Sequence, residues 1–546
     1  MDPYEIAVAY HERTKHHFHR YARSLGYMDW ANQPDPFRRY AGAPLIPLPQ
    51  TEADITPPYD DLYQPGCLRP QPVTLATISE FFFLSLALSA WKQYRSERWA
   101  LRCNPSSGNL HPTEGYLVIG PVERLSDSAG IYHYAPRAHA LELRCSFEPR
   151  LWQRLTTPLP PDAFFVGLSS IHWREAWKYG ERAYRYCQQD LGHAIAACSF
   201  AGAALGWRVC LLHSVGDADI ARLLGVDRHA EFHEREHEEP DALLAVIPQA
   251  DGVDAATVLP RDVIDRIAGG RWHGRASQLS AAHVHWQIID AVAAACVRPA
   301  GAALPGGFPD FTESPPHRRT TTSARTIIRQ RRSAVAFDGQ TSIAADDFFA
   351  ILDRTLPRAD HPPWSTLGPP ALIDLALFVH RVRGLTAGLY CLVRSPARAD
   401  ALQQVMRPEF AWRPPPGCPT ALPLYQLATG DCTALAARVS CHQDIAGDGA
   451  FSLGLIAEFE QPLRRHGAWV YRRLHWEAGA VGHVLYLEAE AAGVRGTGMG
   501  CYFDDPVHDV FGLRGQQFQS VYHFAAGGPV EDARLTTLPA YGGSTS

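Results

Sequence analysis

Asn104-Pro105-Ser106-Ser107-Gly108-Asn109-Leu110-His111-Pro112-Thr113-Glu114 lies between a polar run and the apolar residues 116–119. Two short hydroxyls, a glycine and an amide make a loop of compact donors and acceptors. Gly108 lets the backbone approach a flat ligand closely. The same spacing also describes an ordinary Pro/Ser/Gly/Asn turn. The rest of the chain has to decide between the two.

Working outward, residues 77–94 read as a helix before the loop and 116–119 as a strand after it. Strands follow at 130–134 and 164–168, then one or two helices over 173–207. Residues 301–322 are rich in Pro, Gly, Ser and Thr and form the best linker. Ser323 is placed to cap a helix over 324–330, which runs into Arg331-Arg332-Ser333. A helix is expected at 346–352, a strand at 375–379, a Pro-rich surface excursion at 413–423 and a helix at 470–492. Gly496-Thr497-Gly498-Met499-Gly500-Cys501 follows. The domain reading is an N-terminal extension over 1–60, a first unit over 61–300, the linker 301–322, and a second unit over 323–546.

The two halves repeat. Residues 129–132 (Ala-Gly-Ile-Tyr) match 387–390 (Ala-Gly-Leu-Tyr), an offset of 258 that also places Pro105 on Pro363. Gly192-His193 matches Gly482-His483, with a glycine fourteen residues on in each copy, Gly206 and Gly496. Residues 74–82 resemble 341–349 in pattern. Each half lacks what the other keeps. The first has the serine loop but Arg69-Pro70-Gln71 in place of Arg331-Arg332-Ser333. The second has the glycine row, where the first has Gly206-Trp207-Arg208-Val209-Cys210. A duplicated α+β unit, packed as a homodimer would pack, would leave one complete site in a shared cleft and one decayed mirror image.

Composition narrows the class. The 546 residues allow roughly three or four domains. With 46% hydrophobic and 20% charged residues the chain is globular. A net charge of −6 argues against nucleic acid as a partner. The N-terminus is polar, the longest apolar run is too short to cross a bilayer, and the 12 cysteines form no CxxC pair. A cytoplasmic protein that avoids membranes is expected. His11, His16, His17 and His19 lack a completed ligand set, so a solvated helix face is expected there rather than a metal. His229, His233 and His237, interleaved with glutamates, read as an exposed charged segment.

Arg331 and Ser333 could form a short anion clamp, the guanidinium giving paired donors and the hydroxyl one more. A solvated basic run with Arg329 and Arg332 fits equally well. Gly496, Gly498 and Gly500 could present backbone N–H groups to an anion, or could simply be packing glycines. Lys178 and Tyr179 sit among Trp173, Trp177, Tyr184 and Tyr186. A lysine desolvated there could act as a base, and a snorkelling lysine is the plainer alternative.

Together these stretches resemble the flavin-dependent nitroreductase superfamily, most closely its tandem branch related to SagB-type azoline dehydrogenases. The resemblance rests on residues 29–38, 104–114, 177–193, 331–337 and 496–504. It implies an α+β fold of two fused units, each a mainly antiparallel sheet flanked by helices, packed as an intramolecular pseudo-dimer around FMN. Arg331, Arg332 and Ser333 would hold the flavin from one half. Pro105, Ser106, Ser107 and Asn109 would reach it from the other, with Gly496, Gly498 and Gly500 near the phosphate. Val335 stands where the superfamily often has a basic residue, and Arg495 is the candidate replacement. Lys178-Tyr179 resembles the Lys-Tyr pair associated with catalysis in azoline dehydrogenases. The implied reaction moves a hydride between a small-molecule or modified-peptide substrate and flavin N5. The alternatives are an NAD(P)H-dependent nitro or quinone reductase, or a flavin- or peptide-binding partner without turnover.

Overall fold

Strand-forming runs of Val, Ile, Leu, Phe and Tyr build two antiparallel sheets with the same order of strands. The computed structural model describes residues 1–50, 53–64, 66–248, 257–311 and 320–542. The first sheet runs Leu45–Pro47, Ala140–Phe147, Ala129–Ala135, Thr113–Ile119, Phe164–Ser170, Glu239–Ile247, Arg208–Leu211. The second runs Leu424–Thr429, Gly388–Leu392, Ile373–Val379, Phe451–Glu458, Phe518–Gly527, Arg495–Met499. After the extra edge strand of the first, the two sheets match position for position. A 22-residue helix precedes the last edge strand in each, Ala183–Ala204 and Val470–Ala491. This is the expected pair of fused α+β units.

The two long helices are buried nearly all round, their Arg, Asp, Glu and His side chains included. They cross at glycines. A Cβ on Gly192 would strike the Trp476 carbonyl, and one on Gly479 would strike the Gln189 carbonyl. Gly192 and Gly479 are each the tenth residue of their helix, and Trp476 and Gln189 are each the seventh. The true equivalence is therefore Gly192 with Gly479, an offset of 287, rather than Gly192 with Gly482. Gly206 likewise corresponds to Gly493, and both have left-handed φ, +70° and +74°, just past their helices. The Gly-His similarity misled because Gly482 repeats a small residue one turn beyond the crossing.

One continuous apolar core runs through both units, including Phe81, Phe200, Leu485 and Phe524. Each sheet also carries a core on its outer face. A third sheet ties the units together. Thr536–Leu538, near the end of the chain, pairs with Leu88–Tyr94 of the first unit, which pairs with Glu97–Arg102.

Several local expectations hold. Ser323 accepts the Thr326 N–H and caps Ala324–Gln330. Residues 173–207 form most of His172–Tyr179, a tight turn at Gly180–Arg182 and Ala183–Ala204, and strand Arg208–Leu211 begins just after them. Others fail. The helix expected over 77–94 is Leu75–Ser85 followed by strand Leu88–Tyr94, because one apolar run serves two buried elements. Residues 74–82 and 341–349 do not correspond in structure. Thr74 caps its helix directly, whereas the second helix, Ala345–Arg354, begins after Ala344.

The N-terminal segment is woven into both units. His11 and His16 are buried, His11 near Tyr471 Oη (3.3 Å) and Gln519 Oε1 (3.1 Å), whereas His17 is half-buried and His19 exposed, so the expected solvated face holds only for the last two. Glu236 and Glu238 are buried beneath Arg38 of the same segment, against the expected exposed charge run. Residues 312–319 of the linker lie outside the described residues. Among the described residues, no helix is long and apolar enough to cross a membrane.

Candidate active site

The serine loop leaves strand Glu97–Arg102 and enters the central strand Thr113–Ile119. Gly108, Asn109 and His111 all have positive φ, +57°, +60° and +54°. Asn and Gly tolerate that conformation best. A Cβ on Gly108 would lie 2.5 Å from Tyr179 Oη and 3.2 Å from Lys178 Nζ, so only glycine fits beneath that pair. The Asn109 amide donates to the Ala100 carbonyl at 2.8 Å, leaving its oxygen free to accept. Ser106 Oγ accepts the His111 N–H at 2.8 Å. Ser107 donates its backbone N–H and its hydroxyl to Asp190, both at 2.9 Å. Burial pushes the Asp190 carboxyl up to about 7, although bonds from Ser106 and Ser107 pull the other way.

The opposite wall comes from the second unit. Arg331 follows its helix directly, is buried, and donates to the carbonyls of Arg102 (2.9 Å) and Cys103 (3.3 Å). Its guanidinium lies 5.0 Å from the Tyr486 ring centre. Burial lowers its pKa, which leaves a guanidinium charged at neutral pH. Arg332 turns back onto the carbonyls of Arg329 and Arg331, both at 2.7 Å. Ser333 Oγ and Tyr486 Oη share a hydrogen bond of 2.9 Å, and Tyr486 Oη accepts the Gly498 N–H at 2.7 Å. Arg495 is engaged by Glu531.

These groups meet around one cavity of about 410 Å³ between the units. Pro105, Ser106, Ser107, Asn109, Tyr179, Arg331, Arg332, Ser333, Arg495, Gly498 and Gly500 all line it. Lys178 and Gly496 do not. Lys178 lies just behind Gly108, its ammonium 5.3 Å from the Tyr179 ring centre. The glycine row is an edge strand, Arg495–Met499; glycines two apart aim their N–H groups to the same open side, where that of Gly498 is already taken by Tyr486 Oη. Its glycines instead make room for aromatic rings: Phe524 at Gly496, Tyr522 at Gly498 and Tyr186 at Gly500. The row thus packs against aromatic rings on its buried side, and Gly498 and Gly500 also line the cavity.

Residues outside the expected set also line the cavity. Asp190, Tyr186 and His193 come from the first long helix and Tyr486 from the second. Gln443 and Cys501 add to one wall, and Glu531 and Asp532 stand on the segment before the last strand. His193 is held neutral, its pKa lowered to about 3 by burial and by Arg331. Tyr186, Asp190 and His193 are spaced i, i+4, i+7 and so share one face of that helix, the signal that could have found them together.

Five buried polar atoms on lining residues have no partner among the described residues: Arg102 Nε, Asn104 Oδ1, His111 Nδ1, His193 Nδ1 and Arg331 Nε. Two donors, an acceptor and two imidazole nitrogens suit a flat, polar heteroaromatic ligand, and the arginines suit an anionic tail. The mirror location is filled. Val209 and Leu211 stand where the second unit has Gly496 and Gly498, and the Thr366 hydroxyl bonds Ser199 Oγ (2.6 Å) and the Val209 carbonyl (2.9 Å).

Residues 67–233 match the Nitroreductase family. No curated protein matches the chain significantly in sequence. A solved protein from Anabaena variabilis, assigned as a nitroreductase, is 23% identical with a TM-score of 0.69. That match covers 96% of this chain and 99% of the other. A second such assignment, from Ralstonia eutropha, is 15% identical over 39% of this chain and 96% of its own, with a TM-score of 0.27. The E. coli microcin synthetase complex is 17% identical over 46% and 95%, also with a TM-score of 0.27. Of these three, the Anabaena likeness speaks to the fold, and it does so over 96% of this chain. The chain thus carries a Nitroreductase family domain at residues 67–233, inside a two-unit fold shared with that protein.

Proposed function

We propose that this protein is an FMN-dependent oxidoreductase that holds one FMN between its two units. In this reading it moves a hydride between flavin N5 and a small-molecule or modified-peptide substrate, as SagB-type azoline dehydrogenases do. The observation that carries the reading is the meeting of Ser106, Ser107 and Asn109 from one unit with Arg331 and Ser333 from the other. They enclose a single cavity whose buried polar atoms lack partners. Bound flavin would supply the hydride chemistry, and the chain supplies grip, orientation and charge.

Arg331 and Arg332 set a positive end to the cavity. The free Asn109 oxygen can accept from a ring N–H, and Ser333 extends the donor row through Tyr486. Burial raises the Tyr179 phenol well above its ordinary value, so Tyr179 keeps its proton at neutral pH. The proton taken from substrate carbon passes to the Lys178 amine, and the protonated Tyr179 beside it on the cavity wall serves as a donor. The domain reading of 1–60, 61–300, 301–322 and 323–546 belongs to the same proposal, as does a cytoplasmic location suited to cysteines carried as free thiols.

Gentle purification followed by mass identification of the released cofactor tests the reading. One FMN per chain is expected, and a colourless protein that refuses added FMN overturns it. An NAD(P)H-dependent nitro or quinone reductase gains from one observation, the position of Lys178 behind Gly108 rather than on the cavity surface. NAD(P)H oxidation coupled to a quinone or nitroaromatic would decide for it.

A further inference from the structure

Cys441 and Cys501 stand apart from the other cysteines. Cys501 follows the glycine strand and lines the cavity. Cys441 lies in the turn between helices Thr433–Val439 and Ile445–Asp448. The two sulfurs are 2.7 Å apart as free thiols. Both are partly exposed, whereas eight of the remaining ten cysteines are buried.

The approach is built in by the backbone. Phe503 N–H donates to the Val439 carbonyl at 2.8 Å, and the Gln443 amide donates to the Cys501 carbonyl at 2.8 Å. These two rungs bracket the sulfurs, so neither thiol can drift from the other without breaking one. Cys441 and His442 both adopt left-handed φ, +56° and +58°. Each such non-glycine residue costs roughly 1–2 kcal/mol, and strain of this kind gathers at working sites. Arg182 adds positive charge nearby, its guanidinium donating to the Gly500 carbonyl at 3.0 Å.

We propose that Cys441 and Cys501 are a redox-active pair that takes small-molecule disulfides as its oxidant and closes to an intramolecular disulfide in the cavity wall. The proposal does not depend on the flavin reading. The Cys501 thiolate attacks one sulfur of the small disulfide, forms a mixed disulfide and expels one thiolate. Cys441 then loses its proton and attacks Cys501 Sγ, expelling the second. Two cysteine sulfurs are oxidised, two small-molecule sulfurs are reduced, and two thiols leave. Cys501 is the attacking member because it, and not Cys441, lines the cavity; pairing with Cys441 also lowers its pKa, with help from Arg182 against burial, whereas the pairing and burial push Cys441 upward. Closure would fix the Gln443 turn to the end of the glycine strand, and with it one wall of the cavity.

The test is to equilibrate the full-length protein in buffers of reduced and oxidised glutathione, trap thiols with an alkylating agent, and map the peptides by mass. The expected result is a cross-linked 441–501 peptide that appears as the buffer becomes oxidising and is reversed by dithiothreitol. Cys441→Ser should trap glutathione on Cys501, and Cys501→Ser should leave Cys441 largely unreacted. In unmodified protein at neutral pH, Cys501 should alkylate faster than the more exposed Cys67. Independent alkylation of both thiols in every buffer, or Cys67 reacting first, would overturn the proposal.

Discussion

Asp190 and Glu477 occupy the eighth position of the two long helices, and each pins the segment around the start of its unit's central strand. Asp190 accepts from Ser107, and Glu477 accepts the Leu372 N–H at 2.9 Å. Their electrostatics are opposite. Burial pushes Glu477 up, but Arg394 and Arg473 outweigh it and lower its pKa. Asp190 has no cation against it and rises to about 7. The same carboxylate position is a saturated strut in one unit and a titrating group at the cavity in the other.

Asp190→Asn should therefore change stability with a defined pH dependence. Below pH 3.8, folded and unfolded states both hold the Asp190 proton. Between 3.8 and about 7 only the folded state does, so the wild type loses stability as pH rises through that window. The asparagine variant lacks this loss. Its thermal midpoint relative to wild type should climb from pH 4 to 7 and then level off. A difference that is flat with pH would contradict the assigned ionisation.

Arg495 is held by Glu531, which stands where an anionic ligand group would compete. Glu531→Gln should free it and tighten FMN binding. An exposed pair of this kind is worth about 0–1 kcal/mol, so the gain should be at most about fivefold. Arg495→Ala should weaken binding. Flavin titration of the apoprotein measures both.

Lys178→Ala should keep the flavin and lose turnover, because Lys178 stands behind Gly108 and off the cavity surface. Absorbance spectra together with substrate oxidation separate the two effects. Loss of flavin would make Lys178 structural.

Replacing a helical glycine with alanine at an exposed position usually gains about 1 kcal/mol. Gly192→Ala should do the reverse. Its Cβ meets a backbone carbonyl that cannot swing aside. Overpacking of about 1–3 kcal/mol should outweigh the propensity gain, and differential scanning calorimetry should show a lower midpoint.

The residues that carry local rules were legible in the sequence. Ser323 announced its helix by capping chemistry, Ala183–Ala204 by its length, and the serine loop by its donors. What failed depended on partners distant in the chain. Glu236 and Glu238 look solvated until Arg38 covers them, some 200 residues away. Nothing near Gly496 and Gly498 announces the Phe524 and Tyr522 rings for which they make room. Asp190 has no local signature, because its role comes from a loop 83 residues earlier. The repeat was visible, but its register was set by the helix crossing and not by the nearest matching letters.

Thr536–Leu538 gives the second unit's tail to the first unit's sheet. Severing the connector would consequently not release two particles. The halves would stay hooked together by their own ends, and a truncation stopping short of residue 536 would strip one lip from the cavity mouth while leaving both sheets intact.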